Sequence, residues 1–117
     1  MAHYVVGFLR RASHPPQLRE EELERLQEGH LAHLRRLREQ GELILTGPFE
    51  EDTDLRGLLV FRTNSLDHAH ELMRNDPTLL GGRLVLELHP WYSLAALAGL
   101  QAPGTSQDPG PLTFETD

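Results

Sequence analysis

A stripe of leucines at helical spacing, Leu23, Leu26, Leu34 and Leu37, runs through the segment from Arg19 to Gly41, and a histidine interrupts it. The three-then-four spacing predicts an amphipathic helix. Glu20, Glu21 and Glu22 suit its N-terminal end, Arg35, Arg36 and Arg38 suit its C-terminal end, and Gly41 stops it. At about 100° per residue, His30 falls at the centre of the stripe between Leu26 and Leu34, while His33 sits about 60° to one side. An imidazole buried without a hydrogen bond costs about 1–3 kcal/mol, so His30 is expected to meet a partner from elsewhere in the chain or to line a cavity.

The segments around this helix alternate in kind. Tyr4–Leu9 reads as a first strand, with Tyr4, Val6 and Phe8 on one face and Val5 and Leu9 on the other. After the Pro15-Pro16 loop and the helix, Leu43–Thr46 forms a second strand closing at Gly47-Pro48. Glu50–Asp54 reads as an exposed hairpin tip and Gly57–Arg62 as a third strand. Ser65 caps a second helix ending near Asn75, Asp76-Pro77 makes a turn, and Arg83–His89 forms a fourth strand with Leu84, Leu86 and Leu88 on one face and Val85 on the other. The order βαββαβ with right-handed crossovers predicts an α+β, ferredoxin-like sandwich of one sheet under two helices. Helices cover only one side of such a sheet. The first and third strands are apolar on both sides, so two sheets are expected to pack face to face in a homodimer or a higher homo-oligomer. Residues 1–100 are read as this single domain, with Ser93–Leu100 as a short further helix. Residues 101–117 are read as a flexible Pro/Gly-rich tail in which Leu112 and Phe114 could dock on a neighbouring chain.

The inventory excludes several chemistries. With 11 basic against 18 acidic residues the net charge is −7, which disfavours nucleic acid and anionic membrane as partners and favours a small-molecule substrate. Every basic side chain apart from histidine is arginine and there is no cysteine, so a thiolate nucleophile, a Schiff-base lysine and a Cys-ligated metal are ruled out. No phosphate-cradling glycine loop is present, and no cofactor is expected. The apolar run at the N-terminus is too short for a signal peptide or a membrane span, and the expected location is cytoplasmic.

The ordered motifs HLAHLRRLREQGELILTGPF, GLLVFRTNSLDHAHELMRNDP and a strand ending in HPW resemble the YciI-like (YCII-related) family over residues 3 to 91. The resemblance implies a dimeric α+β barrel of ferredoxin-like units. It also implies a site that pairs the helix histidine, His30, with the aspartate of the DP turn, Asp76. Many relatives carry an aromatic residue where this chain has His33, and an arginine one helical turn before the motif histidine, where this chain has Gln27.

A His30–Asp76 pair would act as an acid–base dyad, the carboxylate fixing the imidazole tautomer while the other ring nitrogen faces substrate. The alternative for His30 is a hydrogen-bonded core histidine. For Asp76 it is a turn or helix cap, which the proline that follows also suits. Around the pair, Tyr4, His33, Gly47, Pro48 and Trp91 are the expected substrate-binding residues. Tyr4 and Trp91 combine an apolar body with a polar tip, and Gly47-Pro48 shapes either a pocket wall or a strand exit. His30 and His33 with His68 or His70 would be the nearest approach to a metal site, but no HExxH is present and no metal is expected. Two functions follow: a small cofactor-independent enzyme of isomerase, lyase or hydrolase type acting on a small organic acid or lactone, or a non-catalytic dimeric module for ligand binding or assembly.

Overall fold

The computed structural model describes residues 2–94. The elements are β1 (Ala2–Arg11), α1 (Glu20–Glu39), β2 (Leu43–Pro48), β3 (Leu55–Phe61), α2 (Leu66–Met73), α3 (Pro77–Leu80) and β4 (Leu84–Ser93). The sheet order is β2-β3-β1-β4, and every neighbouring pair is antiparallel. This is the ferredoxin-like βαββαβ arrangement, with one short helix added. The expected helix over Ser93–Leu100 does not hold at Ser93, which closes β4; its residues 95–100 and the 101–117 tail lie outside the described residues.

Local chemistry sets the helix ends. The Arg19 backbone N–H donates to Glu22 Oε1 at 3.1 Å, so α1 starts with half of a capping box closed by its own side chain. Gly41 takes φ +78°, where its N–H reaches Arg38 O and the Glu42 N–H reaches Leu37 O, ending the helix in a left-handed cap. Ser65 Oγ accepts the His68 N–H and starts α2. The turn expected at Asp76-Pro77 proves to be the start of α3. Asp76 is extended (φ −64°, ψ 127°), as a residue before proline must be, and Pro77 occupies the first helical turn, where its missing N–H leaves no bond unmade.

The strands are longer than the apolar runs that announce them. β1 and β4 stay in register over ten pairs, from Ala2↔Ser93 to Arg11↔Leu84, drawing in polar residues at both ends. Pro90 is tolerated because β4 lies at the sheet edge. Under the helices the core joins Val5, Leu9, Leu43, Leu59, Phe61 and Leu84 of the sheet to Leu34, Leu37, Ala69 and Met73. The other sheet face carries a smaller cluster of Tyr4, Ile44 and Val60 with Ala2 and Val6. On that face Trp91 and Val85 remain 42% and 49% exposed.

Candidate active site

His30 and Asp76 come from different halves of the chain and meet where α1 crosses α3. The approach depends on the two residues beside them. A Cβ on Gly29 would lie 2.8 Å from Pro77 Cγ, so only glycine lets the helix backbone come this close to the proline ring. His30 Nδ1 then stands 2.7 Å from Asp76 Oδ2, and both residues have no exposed surface.

Asp76 is held from both ends. As the N-cap of α3 its Oδ1 accepts the Thr78 backbone N–H at 2.9 Å and also the Thr78 hydroxyl, while Oδ2 remains for the imidazole. Burial alone would push this carboxyl up, but the hydrogen bond and charge of His30, with the two bonds from Thr78, outweigh it and hold the group below the usual aspartate range. An ionised carboxylate only accepts hydrogen bonds. The proton of the shared bond therefore sits on His30 Nδ1, and the second ring nitrogen is Nε2. That nitrogen is buried too.

The remaining predicted residues are placed elsewhere. His33 is also buried, but its Nε2 is 2.7 Å from Leu72 O and its Nδ1 accepts from Arg36 at 3.1 Å, so it ties α1 to the end of α2. Tyr4 and Trp91 are cross-strand neighbours with ring centroids 6.3 Å apart, on the sheet face away from α1. Gly47 and Pro48 end the edge strand β2, with open space beside Gly47. His68 pairs with Glu42 at 2.5 Å. His70 borders a groove of about 540 Å³ between α2, α3 and β4, whose lining does not include His30 or Asp76. Among the described residues no three His, Asp or Glu side chains converge to hold a metal ion, and no helix is long and apolar enough to cross a membrane. Thr78 is the site residue that sequence reasoning missed. The D-P-T run carries its signal, since a residue two after a capping aspartate offers both a backbone N–H and a hydroxyl to the same carboxylate.

A four-stranded antiparallel sheet with helices on one face, and a sealed histidine–aspartate pair between them, defines a ferredoxin-like α+β protein with one candidate acid–base centre. The chain belongs to the YCII-related family: the YCII-related domain matches residues 8–91. Among solved structures it is similar to 5-chloro-2-hydroxyhydroquinone dehydrochlorinase from Burkholderia phenoliruptrix in complex with 2,5-dihydroxybenzoquinone. The identity is 20%, the TM-score is 0.48, and the match covers 75% of this chain and 93% of that one. No curated protein matches the sequence.

Proposed function

We propose that the protein is a small cofactor-independent enzyme in which His30 and Asp76 form an acid–base pair acting on a small organic acid or lactone, in an isomerase, lyase or hydrolase type of reaction. The observation that carries this reading is the 2.7 Å contact between His30 Nδ1 and an Asp76 carboxyl that His30, helped by Thr78, holds below its usual range in spite of burial. Nε2 takes a proton from a carbon beside a carbonyl or from water. The Asp76 carboxylate stabilises the imidazolium that results, and the proton returns to another substrate atom or to the leaving group. Because the pair is sealed, substrate gains access only when the packing over Nε2 opens.

The working unit in this reading is a homodimer, formed by the sheet faces that the helices leave bare. Partly exposed Val6 and Phe8, with Trp91 and Val85, supply the apolar surface. Analytical ultracentrifugation of the protein and of Val6→Glu tests it: a dimer that the charge converts to a monomer is expected.

Complete burial of the pair favours a second reading, in which His30–Asp76 is an internal staple of a non-catalytic dimeric ligand-binding or assembly module. Two measurements separate the readings. Ring-nitrogen NMR of His30 is expected to show one Nδ1–H tautomer that is lost in Asp76→Asn. His30→Gln is expected to lose turnover of small acids and lactones by about 10²- to 10⁴-fold while still binding ligand. A chain that converts none of them, and binds ligands equally well as His30→Gln, is the module.

A further inference from the structure

Arg10 and Arg11 are consecutive, yet β1 sends them to opposite faces. Arg10 lies on the bare face, where its Nε donates to Glu87 Oε1 at 2.8 Å and its Nη1 stands 3.5 Å from Asp54. Arg11 pairs in register with Leu84, which is buried in the core beneath the helices, so its side chain enters the helix side. There it is half-buried with Nε sealed from solvent, and among the described residues its guanidinium meets neither a carboxylate nor a carbonyl. The chain carries a net charge of −7, yet among the described residues no acidic side chain is set against this cation.

Gln27 presents the same anomaly in neutral form. It lies one turn before His30 on the same face of α1, and both its Oε1 and its Nε2 are buried with no hydrogen-bond partner among the described residues. Buried amides without partners are rare, and they mark places where something else supplies the bonds. Residues 81–84 connect the two sites. Arg83 O accepts the Ala12 N–H at 2.9 Å just after Arg11, Leu84 pairs with Arg11, and Gly81 packs against Leu26 beside Gln27. Both groups thus stand at the end of the fold covered by the first half of α1.

We infer that Arg11 and Gln27 form the binding end of the His30 site and select a small carboxylate that carries a hydroxyl group. This rests on the acid–base reading of His30. The planar guanidinium matches a carboxylate in two parallel bonds, whereas one cation and one neutral amide are too few donors for a phosphate dianion. Gln27, with a donor and an acceptor both unmet, matches a group that can accept and donate at once, which a hydroxyl does. The carboxylate held at Arg11 and the hydroxyl at Gln27 then place the carbon between or beside them towards His30, one turn further along the helix.

The test is a ¹H–¹⁵N NMR titration with glycolate, using acetate and sodium chloride as controls. Glycolate is expected to shift the Arg11 Nε–H and Gln27 Nε2 resonances to saturation, acetate to shift Arg11 alone with weaker affinity, and chloride to shift neither. Arg11→Met, which keeps the packing stem, is expected to weaken glycolate about tenfold or more. Gln27→Leu is expected to bring glycolate down to the affinity of acetate. Glycolate shifts that fail to saturate in the unaltered protein, or equal affinity in Arg11→Met, overturn the proposal. The His30 ring-nitrogen spectrum reports the dyad separately. An Asp76-dependent tautomer without glycolate binding overturns the subsite alone, and glycolate binding without that tautomer supports the subsite while overturning the dyad.

Discussion

Gly29 and Pro77 fit against each other so closely that a single methyl group on the glycine would come within 2.8 Å of the proline ring. Each is the chain neighbour of one member of the His30–Asp76 pair. The contact therefore sets the distance on which the pair's hydrogen bond depends. Alanine in place of Gly29 gains about 1 kcal/mol in helix propensity, but the rigid ring cannot swing aside, and overpacking costs about 1–3 kcal/mol. Gly29→Ala is expected to lower the melting temperature and to erase the fixed tautomer of His30. Adding Pro77→Ala is expected to restore both, and failure of the second change to rescue the first would show that the ring is not the obstacle.

Acid should unfold the protein partly through Asp76. Its carboxyl is held below the ordinary range in the fold, so the unfolded chain binds this proton more readily. The stabilisation is fully present above the unfolded value of about 3.9 and disappears as the pH falls through the lower native value. Denaturant titrations between about pH 6 and pH 2 should give a shallower loss of stability in Asp76→Asn than in the unaltered chain.

Removing the acceptor altogether is a different perturbation. Asp76→Ala leaves His30 Nδ1, the Thr78 N–H and the Thr78 hydroxyl without their shared oxygens in a fully buried place. A loss of about 3–5 kcal/mol is expected in urea unfolding. Asp76→Asn, which keeps an oxygen for the cap, should lose distinctly less.

Thr78→Val keeps the branched shape and the backbone N–H but deletes the hydroxyl that donates to Asp76 Oδ1. It is expected to cost about 1–2 kcal/mol. It should also raise the Asp76 titration seen by carboxyl ¹³C NMR, because one of the groups that lower it is gone. An unchanged titration would mean that the backbone bond and His30 suffice.

The features that were legible from sequence depend on neighbours within one turn. His30 stood out because an imidazole interrupts the leucine stripe. Gly41 and Ser65 mark helix ends through their own backbone or side-chain bonds, and both expectations hold. The strand faces also hold, since alternation fixes which side Tyr4 or Val5 takes. Features that depend on a distant segment were not legible. His33 lies off the centre of the stripe yet is buried, because α1 packs against α2 as well as the sheet, and Leu72 O is waiting there. The polar ends of β1 are strand only because β4 continues beside them to Leu84. The pairing of His30 with Asp76 spans 46 residues and no local rule predicts it; the resemblance to a family suggested it and the geometry brings the two together.

The strand order β2-β3-β1-β4 alternates between the two halves of the chain, so that neither half contains two strands that bond to each other. His30 belongs to one half and Asp76 to the other. The molecule therefore works as a logical AND: a chain cut in the exposed 50–54 hairpin yields two pieces, each without a sheet and each holding one member of the pair. Neither piece holds the pair, and reassembly of the sheet is expected to restore the His30–Asp76 contact along with it.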